Sequence, residues 1–174
     1  DGSSGTVKLL LDRGAKLDDQ ALVAAAAAND LATMRLLTER GAGVNAKDEA
    51  GRTPLMFAAG NGNLKAIELL LAKGADVNAI SAEKSETVKN GPIALGNLTA
   101  LMLAAPAGGP DVVKALLDAG AKVNADVNAA DVRRMTALML AIATDRADAR
   151  TVRLLIERGA DPRKKDRDGL TAMD

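Results

Sequence analysis

The sequence has 174 residues, of which 48% are hydrophobic and 26% charged, so it predicts one folded, soluble domain. Its 23 basic and 23 acidic residues cancel, which argues against a general nucleic-acid binder or a protein that binds anionic membranes. Because the chain has no His and no Cys, imidazole acid–base catalysis, thiol chemistry and ordinary structural zinc sites are excluded.

The side-chain composition favours closely stacked helices. Phe57 is the sole aromatic residue and Ala occurs 36 times, so small side chains allow helix backbones to approach one another. No uninterrupted apolar run approaches the roughly 18 residues of a membrane-spanning helix. We therefore expect no membrane insertion.

A short motif recurs from one end of the chain to the other. Each copy contains an apolar cluster followed by Gly-Ala, and a Thr-x-Leu-Met type segment precedes most copies. The distance from that segment to the next Gly is nearly constant, whereas the distance from Gly to the next segment varies. This alternation predicts packed helical units joined by exposed loops of different length. The Gly residues are Gly14, Gly41, Gly74, Gly120 and Gly159.

Each constant segment predicts two helices. In the copy with the clearest pattern, Thr53 is a good N-cap and Pro54 suits the first helical position. Gly60-Asn61-Gly62 separates this helix from the next, and Gly74 suits the left-handed conformation that ends helices. Neither helix can bury its apolar face alone, so stability has to come from stacking on neighbouring units.

These residues resemble the ankyrin repeat family, and the copy from Asp48 to Ala79 covers nearly the whole motif. A generic helical-hairpin repeat fits Gly-Ala-Asp-Val-Asn-Ala and the Thr-x-Leu-Met segments less well. The resemblance implies an all-α solenoid of stacked helix-turn-helix units with β-hairpin-like loop fingers. It divides residues 1–174, as a single domain, into a partial repeat 1–15, repeats of about 16–42, 43–75, 76–121 and 122–160, and a partial repeat 161–174.

The sequence departs from the family pattern where the family usually has His after the Thr. Met56, Met102 and Met139 stand there, so we expect polarizable apolar packing to replace the Thr–His hydrogen bonding. Pro is kept only at Pro54. Repeats that are rich in Ala and poor in aromatic residues, with Met in this position, look bacterial.

The resemblance implies a binding site on the loop fingers and on the groove beside the first helices. The small residues at the groove-facing helix ends, such as Gly60 and Ala143, either admit a partner closely or reflect crowding. The residues that we expect to contact a partner are Glu49, Arg52, Lys84, Glu86, Lys89, Ile93, Leu95, Arg133, Met135, Arg167 and Leu170.

The loop between Gly74 and Thr99 is 13 residues longer than the 12-residue interval seen elsewhere. Asn90-Gly91 favours a type I′ turn, and Pro92 confines a following strand to an edge, so we expect a projecting hairpin. Two interpretations stay open: a main contact element, since long insertions are often functional, or a tolerated surface insertion.

Two other loops depart from the usual finger. Arg134 stands where the pattern has Gly, as at Gly51 and Gly169, so we expect a non-standard turn there. The loop before Gln20 is too short for a finger, and its Asp18-Asp19 pair predicts a solvated turn rather than a metal site. We predict no catalytic residue, no cofactor, no metal and no small-molecule substrate.

Two functions remain open at this point. The first is a protein-binding module within a longer array, since the sequence begins and ends inside repeats. Asp1–Arg13 is expected to form an inter-helix turn and a second helix, and Asp166–Asp174 a loop with the first turn of another helix. The alternative is a structural subunit that stacks end to end on copies of itself into a fibre, through a heterologous interface.

Overall fold

The computed structural model describes residues 2–82, 97–107, 109–124, 134–144 and 148–174. Within these ranges the regular secondary structure is helical, with no β-strand, which confirms the all-α solenoid. No described helix is both long and apolar enough to cross a bilayer. The helices are α1 (Gly2–Asp12), α2 (Asp19–Ala27), α3 (Leu31–Glu39), α4 (Pro54–Gly60), α5 (Leu64–Ala72), α6 (Ala100–Ala107), α7 (Pro110–Asp118), α8 (Ala137–Ile142) and α9 (Ala149–Glu157).

Thr residues cap α4 and α8, as the sequence predicted. Thr53 lies in extended backbone before α4, and its Oγ1 accepts the N–H of Met56 at 3.4 Å. Thr136 caps α8 in the same way, accepting the N–H of Met139 at 3.2 Å. Pro54 is the first residue of α4, where its missing N–H removes no helical hydrogen bond.

The Met residues do more than the apolar packing that we expected in place of the family's His. The Sδ of Met56 accepts the backbone N–H of Thr53 at 3.4 Å, and the Sδ of Met139 accepts that of Thr136 at 3.4 Å. A thioether is a weak acceptor, but it satisfies a donor that is otherwise buried. The Thr53–Met56 and Thr136–Met139 pairs therefore each exchange two hydrogen bonds, as a capping box does.

Glycine ends five of the helical units as the sequence predicted. The Gly of each Gly-Ala pair has a φ between +86° and +90°, and the Ala N–H then bonds back to the last helical turn. In this conformation glycine carries no Cβ penalty, and the carbonyls at the helix end gain donors.

The terminal segments agree in part with the sequence analysis. Helix α1 starts at Gly2. Counted back from the glycine that ends each unit, this start is two residues earlier than that of α5. The residues that we expected to form an inter-helix turn are therefore helical. At the other end Asp174 Oδ2 accepts both the N–H and the Oγ1–H of Thr171, at 2.7 and 2.8 Å. These bonds close one turn after the loop.

The helices form two layers with the core between them. Helices α2, α4, α6 and α8 stack in sequence as the inner layer, and α1, α3, α5, α7 and α9 form the outer layer. The same two Leu positions recur in the core, one in each inner helix and one in each of the outer helices α3, α5, α7 and α9, each at most 1% exposed. Burial of each such side chain contributes about 1.5–3 kcal/mol. They are Leu22, Leu55, Leu101 and Leu138, and Leu37, Leu70, Leu116 and Leu155.

Asn side chains connect successive units along the edge next to the helix ends. Asn78 Nδ2 donates to the carbonyl of Gly120 at 3.1 Å, while its Oδ1 accepts the N–H of Lys122 at 2.9 Å. Asn45 and Asn124 make the same pair of bonds to the units that follow them. In the first pair of units Asp19 supplies the acceptor instead, for the N–H of Gly43 at 2.7 Å.

Candidate binding groove

The fingers turn at a residue with left-handed backbone, two positions before each Thr. Gly51 and Gly169 have φ values of +71° and +83°, and Asn97 has +57°. Arg134 has a φ of +52°, so it adopts the same conformation although its sequence predicted a departure from the standard turn. The rest of this turn, residues 125–133, lies outside the described residues, so the non-standard turn stays a prediction.

Two of the fingers are closed by an Asp that binds the backbone of its own turn. The Asp48 N–H donates to the Arg52 carbonyl at 3.0 Å, and Asp48 Oδ1 accepts the N–H groups of Ala50 and Arg52. Asp166 and Leu170 repeat this arrangement, with an N–H to carbonyl distance of 2.8 Å. These tight turns hold the residue before each Thr at the edge of the groove.

A pocket of about 390 Å³ lies between the Asp48–Arg52 finger, the end of α4 and the next unit. Its wall carries the Arg52 guanidinium, and its lining is otherwise apolar or uncharged. The other lining residues are Ala50, Met56, Phe57, Gly60, Asn61, Ser81, Ala82, Leu98 and Leu103.

Arg52 is held in place on two sides. Its Nε and Nη2 each lie 2.8 Å from Asp48 Oδ2, and its guanidinium carbon lies 4.7 Å from the centre of the Phe57 ring. Stacking of this kind adds a cation–π attraction to the ion pair. Since the side chain is still 47% exposed, an ordered cation faces the pocket.

Crowding does not account for the glycine at position 60. A Cβ built on Gly60 would meet only Leu103 Cβ, at 3.9 Å, which is ordinary van der Waals contact. The neighbouring Asn61 donates from Nδ2 to the Ala26 carbonyl of the preceding unit at 3.1 Å. Of the two explanations for small residues here, crowding does not apply at Gly60, since a Cβ there would make only an ordinary contact.

The long loop leaves the array at the rim of this pocket. Ser81 and Leu98 exchange two hydrogen bonds, Ser81 N–H to the Leu98 carbonyl at 3.0 Å and Leu98 N–H to Ser81 Oγ at 2.9 Å. The Ala82 N–H donates to the Ala50 carbonyl of the preceding finger at 2.8 Å. The predicted hairpin, including Asn90-Gly91, lies outside the described residues; its root is fixed against the Asp48–Arg52 finger.

A second pocket, of about 240 Å³, occupies the equivalent position beside α8. Met135 stands there where Arg52 stands in the first pocket, and Leu170 lies on the opposite wall. Its lining is largely apolar, with Met139, Ile142 and Ala143 on the α8 side. These two pockets are related by the repeat, and the first carries a cation among its lining residues.

The structure brings some of the sequence-predicted site residues together and leaves others apart. Met135 and Leu170 share one pocket, Arg52 lines the other, and Glu49 and Arg167 are exposed on finger turns. The remaining six, which lie outside the described residues, are Lys84, Glu86, Lys89, Ile93, Leu95 and Arg133.

Sequence reasoning missed several residues that line the first pocket, among them Phe57, Leu98 and Leu103. Two signals were present: Phe57 is the sole aromatic residue, and an apolar residue directly precedes Thr99, as it does Thr136 and Thr171. Ser81 and Ala82 gave no such signal, because their position depends on contacts with the preceding finger.

Comparison with known proteins agrees with the repeated geometry. A family model described as ankyrin repeats (3 copies) matches residues 1–81 and 83–166. An ankyrin repeat-containing protein of Treponema pallidum is 31% identical over 94% of this chain and 49% of its own length. A mitochondrial disaggregase of Bos taurus is 34% identical over 90% of this chain and 21% of its own length.

A fowlpox virus ankyrin repeat protein is 35% identical over 55% of this chain and 12% of its own length. The chain therefore spans about half or less of the length of these relatives. The family model covers nearly all of the chain, and the turns, caps and helix pairs follow the same repeat. The chain belongs to the ankyrin repeat family, whose repeats are protein–protein interaction modules.

Proposed function

We propose that this chain binds its protein partner on the groove formed by the inner helices and the finger turns. The first pocket is the observation that carries this proposal, because it combines an apolar floor with one ordered, half-exposed cation. Concave sites of this kind, apolar with a few fixed polar groups, are typical of ligand and partner recognition.

The proposed contact set keeps the residues expected from the sequence and adds Phe57, Asn61 and Leu98. Glu49, Arg52, Met135, Arg167 and Leu170 are its described members, at finger turns or in the two pockets. The contacts of residues 84–95 and of Arg133 stay predictions. The fixed root of the long loop, at the rim of the first pocket, supports a role for that loop in the same surface.

We also propose the wider organisation expected from the sequence. The 174 residues form one domain, with the repeat bounds given above. This domain binds without catalysis, without a cofactor and without a small-molecule substrate, and its balanced charge and lack of His and Cys support that. The same balance favours a protein over a nucleic acid as its partner.

Site-specific photocrosslinking tests the proposed surface. A photoreactive amino acid is placed at Glu49 or Asn61, on the groove side, and in matched controls at Lys65 or Glu68, exposed positions of the outer helix α5. In an extract of the organism that makes the protein, we expect the same adduct from both groove positions and none from the controls. Adducts from the α5 positions alone would contradict the groove as the binding surface.

End-to-end association with copies of the chain is the second candidate. Leu9 and Leu10 on α1 are 53% and 54% exposed, and Leu170 and Met173 in the last turns are 53% and 77% exposed. Sedimentation velocity over a hundredfold range of concentration decides this point. Growth of the sedimentation coefficient, lost on replacing Leu9 and Leu10 by Glu, supports self-assembly, and a constant monomer value argues against it.

A further inference from the structure

The chemistry of the first pocket points beyond general partner binding to one kind of ligand segment. The Arg52 guanidinium has five N–H donors, and its contacts with Asp48 use Nε and Nη2. The other N–H donors of the guanidinium are not used by Asp48, and the Arg52 side chain is 47% exposed. An ordered fork of this kind matches a carboxylate, because two parallel N–H···O bonds form with little further loss of side-chain freedom.

Asp48 occupies one edge of this fork, at Nε and Nη2, and its carboxylate also shapes the turn. Oδ1 accepts the N–H groups of Ala50 and Arg52 at 3.0 and 2.8 Å, and Oδ2 accepts Arg52 Nε. The negative charge is thus shared with backbone donors of its own finger. Among the described residues that line the pocket, Arg52 carries the sole formal charge.

The floor of the pocket requires an apolar group. Met56, Leu98 and Leu103 lie there, and Gly60, which has no side chain, lines the pocket beside them. A volume of about 390 Å³ is sufficient for one large aliphatic or aromatic side chain. A carboxylate alone leaves this apolar surface wet, and an apolar side chain alone leaves the donors of Arg52 unused.

We propose that this pocket selects a partner segment in which an apolar side chain stands next to an Asp or Glu. The apolar side chain fills the floor beside Phe57, and the neighbouring carboxylate binds the free donors of Arg52. This inference rests on the proposed function and adds the partner chemistry. The equivalent pocket beside α8 has Met135 in the place of Arg52 and Leu140 in that of Phe57, so it lacks both features.

A phage library of random 12-residue peptides, selected on the immobilised chain, is the probe. For the native chain we expect enrichment of peptides in which Asp or Glu adjoins Leu, Ile, Met or Phe. In Arg52→Met, the residue found at the equivalent position 135, the apolar preference is retained and the acidic one is lost. The Kd of a synthetic selected peptide rises by about 10- to 100-fold, and Arg52→Glu shifts selection towards Lys and Arg.

Two controls keep the outcomes separate. Lys65→Met removes an exposed cation from α5 and is expected to leave selection unchanged, and circular dichroism with thermal unfolding checks that every variant is folded. Peptides that bind the groove but show the same acidic content in Arg52→Met overturn this inference and leave the proposed function standing. If the folded native chain enriches no peptide, or if oligo-dT binds it through Arg52, both are overturned.

Discussion

Asn78 is bound to Gly120 across 42 residues of sequence: its Nδ2 donates to the Gly120 carbonyl at 3.1 Å, and its Oδ1 accepts the N–H of Lys122 at 2.9 Å. The bridged carbonyl belongs to the glycine that ends the next unit. This single side chain therefore fixes the loop that follows α5 against the end of α7.

We predict that Asn78→Ala lowers the free energy of unfolding by about 1–3 kcal/mol, because two hydrogen bonds of about 0.5–1.5 kcal/mol each are lost. Urea unfolding followed by circular dichroism measures the change. Asp19→Asn is the matched control. Asp19 needs only an acceptor for the Gly43 N–H, at 2.7 Å, and an amide oxygen supplies one. Equal losses in the two variants would contradict the bridging role of the Asn amide.

The finger at Gly51 should be far less tolerant of a side chain than the finger at Gly169. Both residues have left-handed backbone, but a Cβ at Gly51 would lie 2.4 Å from the Ala82 nitrogen, while one at Gly169 meets nothing within 4 Å. Gly169→Ala is expected to cost about 1–2 kcal/mol, the penalty for left-handed backbone. Gly51→Ala should cost more than that, since the Ala82–Ala50 hydrogen bond has to shift.

Thermal and urea unfolding of both glycine variants test this difference. A second measurement follows the Ala82 amide by hydrogen exchange, which should lose protection in Gly51→Ala and keep it in Gly169→Ala. Similar stability losses, or a protected Ala82 amide in Gly51→Ala, would show that the two fingers do not differ in this way.

Arg134 occupies a backbone conformation that glycine adopts at less cost. Its φ is +52°, and a non-glycine residue in this region is strained by about 1–2 kcal/mol. Arg134→Gly relieves this strain, while glycine's greater freedom in the unfolded chain offsets about 0.5–1 kcal/mol of it. We expect a net gain of about 0.5–1 kcal/mol in urea unfolding, and none for Arg134→Ala, which keeps the Cβ. A gain of equal size in both variants would assign the effect to the Arg side chain.

The sequence allowed the helix pairs and their ends to be predicted because their signals are local. Thr53, Pro54 and Gly74 act on their own helix, so spacing within one unit was sufficient. The bonds of Asn45 and Asn78 were not predicted, although the Val-Asn-Ala pattern marks both residues. Their carbonyl partners lie at the far end of the helix pair that follows, and the distance along the chain to that end varies with the length of the intervening loop.

The same reason limited prediction of the candidate groove. Arg52 was expected at a finger tip, but its pocket is completed by Ser81 and Leu98, which flank the long loop. No pattern within one repeat places those residues opposite Phe57. At Arg134 the left-handed backbone is kept without a glycine, which the residue type alone does not indicate.

The N-cap of α9 should make the stability of the last unit sensitive to acid. Asp148 accepts the N–H of Arg150 at 2.8 Å, and the Arg150 guanidinium reaches both carboxylate oxygens, at 3.2 and 2.9 Å. These hydrogen bonds hold the pKa of Asp148 below its ordinary value. Those from the Arg150 side chain have the largest effect, and those from the backbone N–H groups have a smaller one. A carboxyl whose pKa is lowered in the folded state stabilises the fold above its unfolded pKa. That contribution is lost as the pH falls through the folded value, below about pH 4.

NMR titration of the Asp148 carboxyl carbon measures this pKa directly. We expect Arg150→Gln to raise it towards the ordinary value, so that acid unfolding of α9 starts at a higher pH. Arg150→Lys should raise it by less, because the charge remains while the two-pronged contact of the guanidinium is lost. Asp148→Asn keeps a capping oxygen for the Arg150 N–H and should remove the acid sensitivity of α9. An Asp148 pKa that does not change in Arg150→Gln would assign the lowering to the backbone N–H groups of the cap.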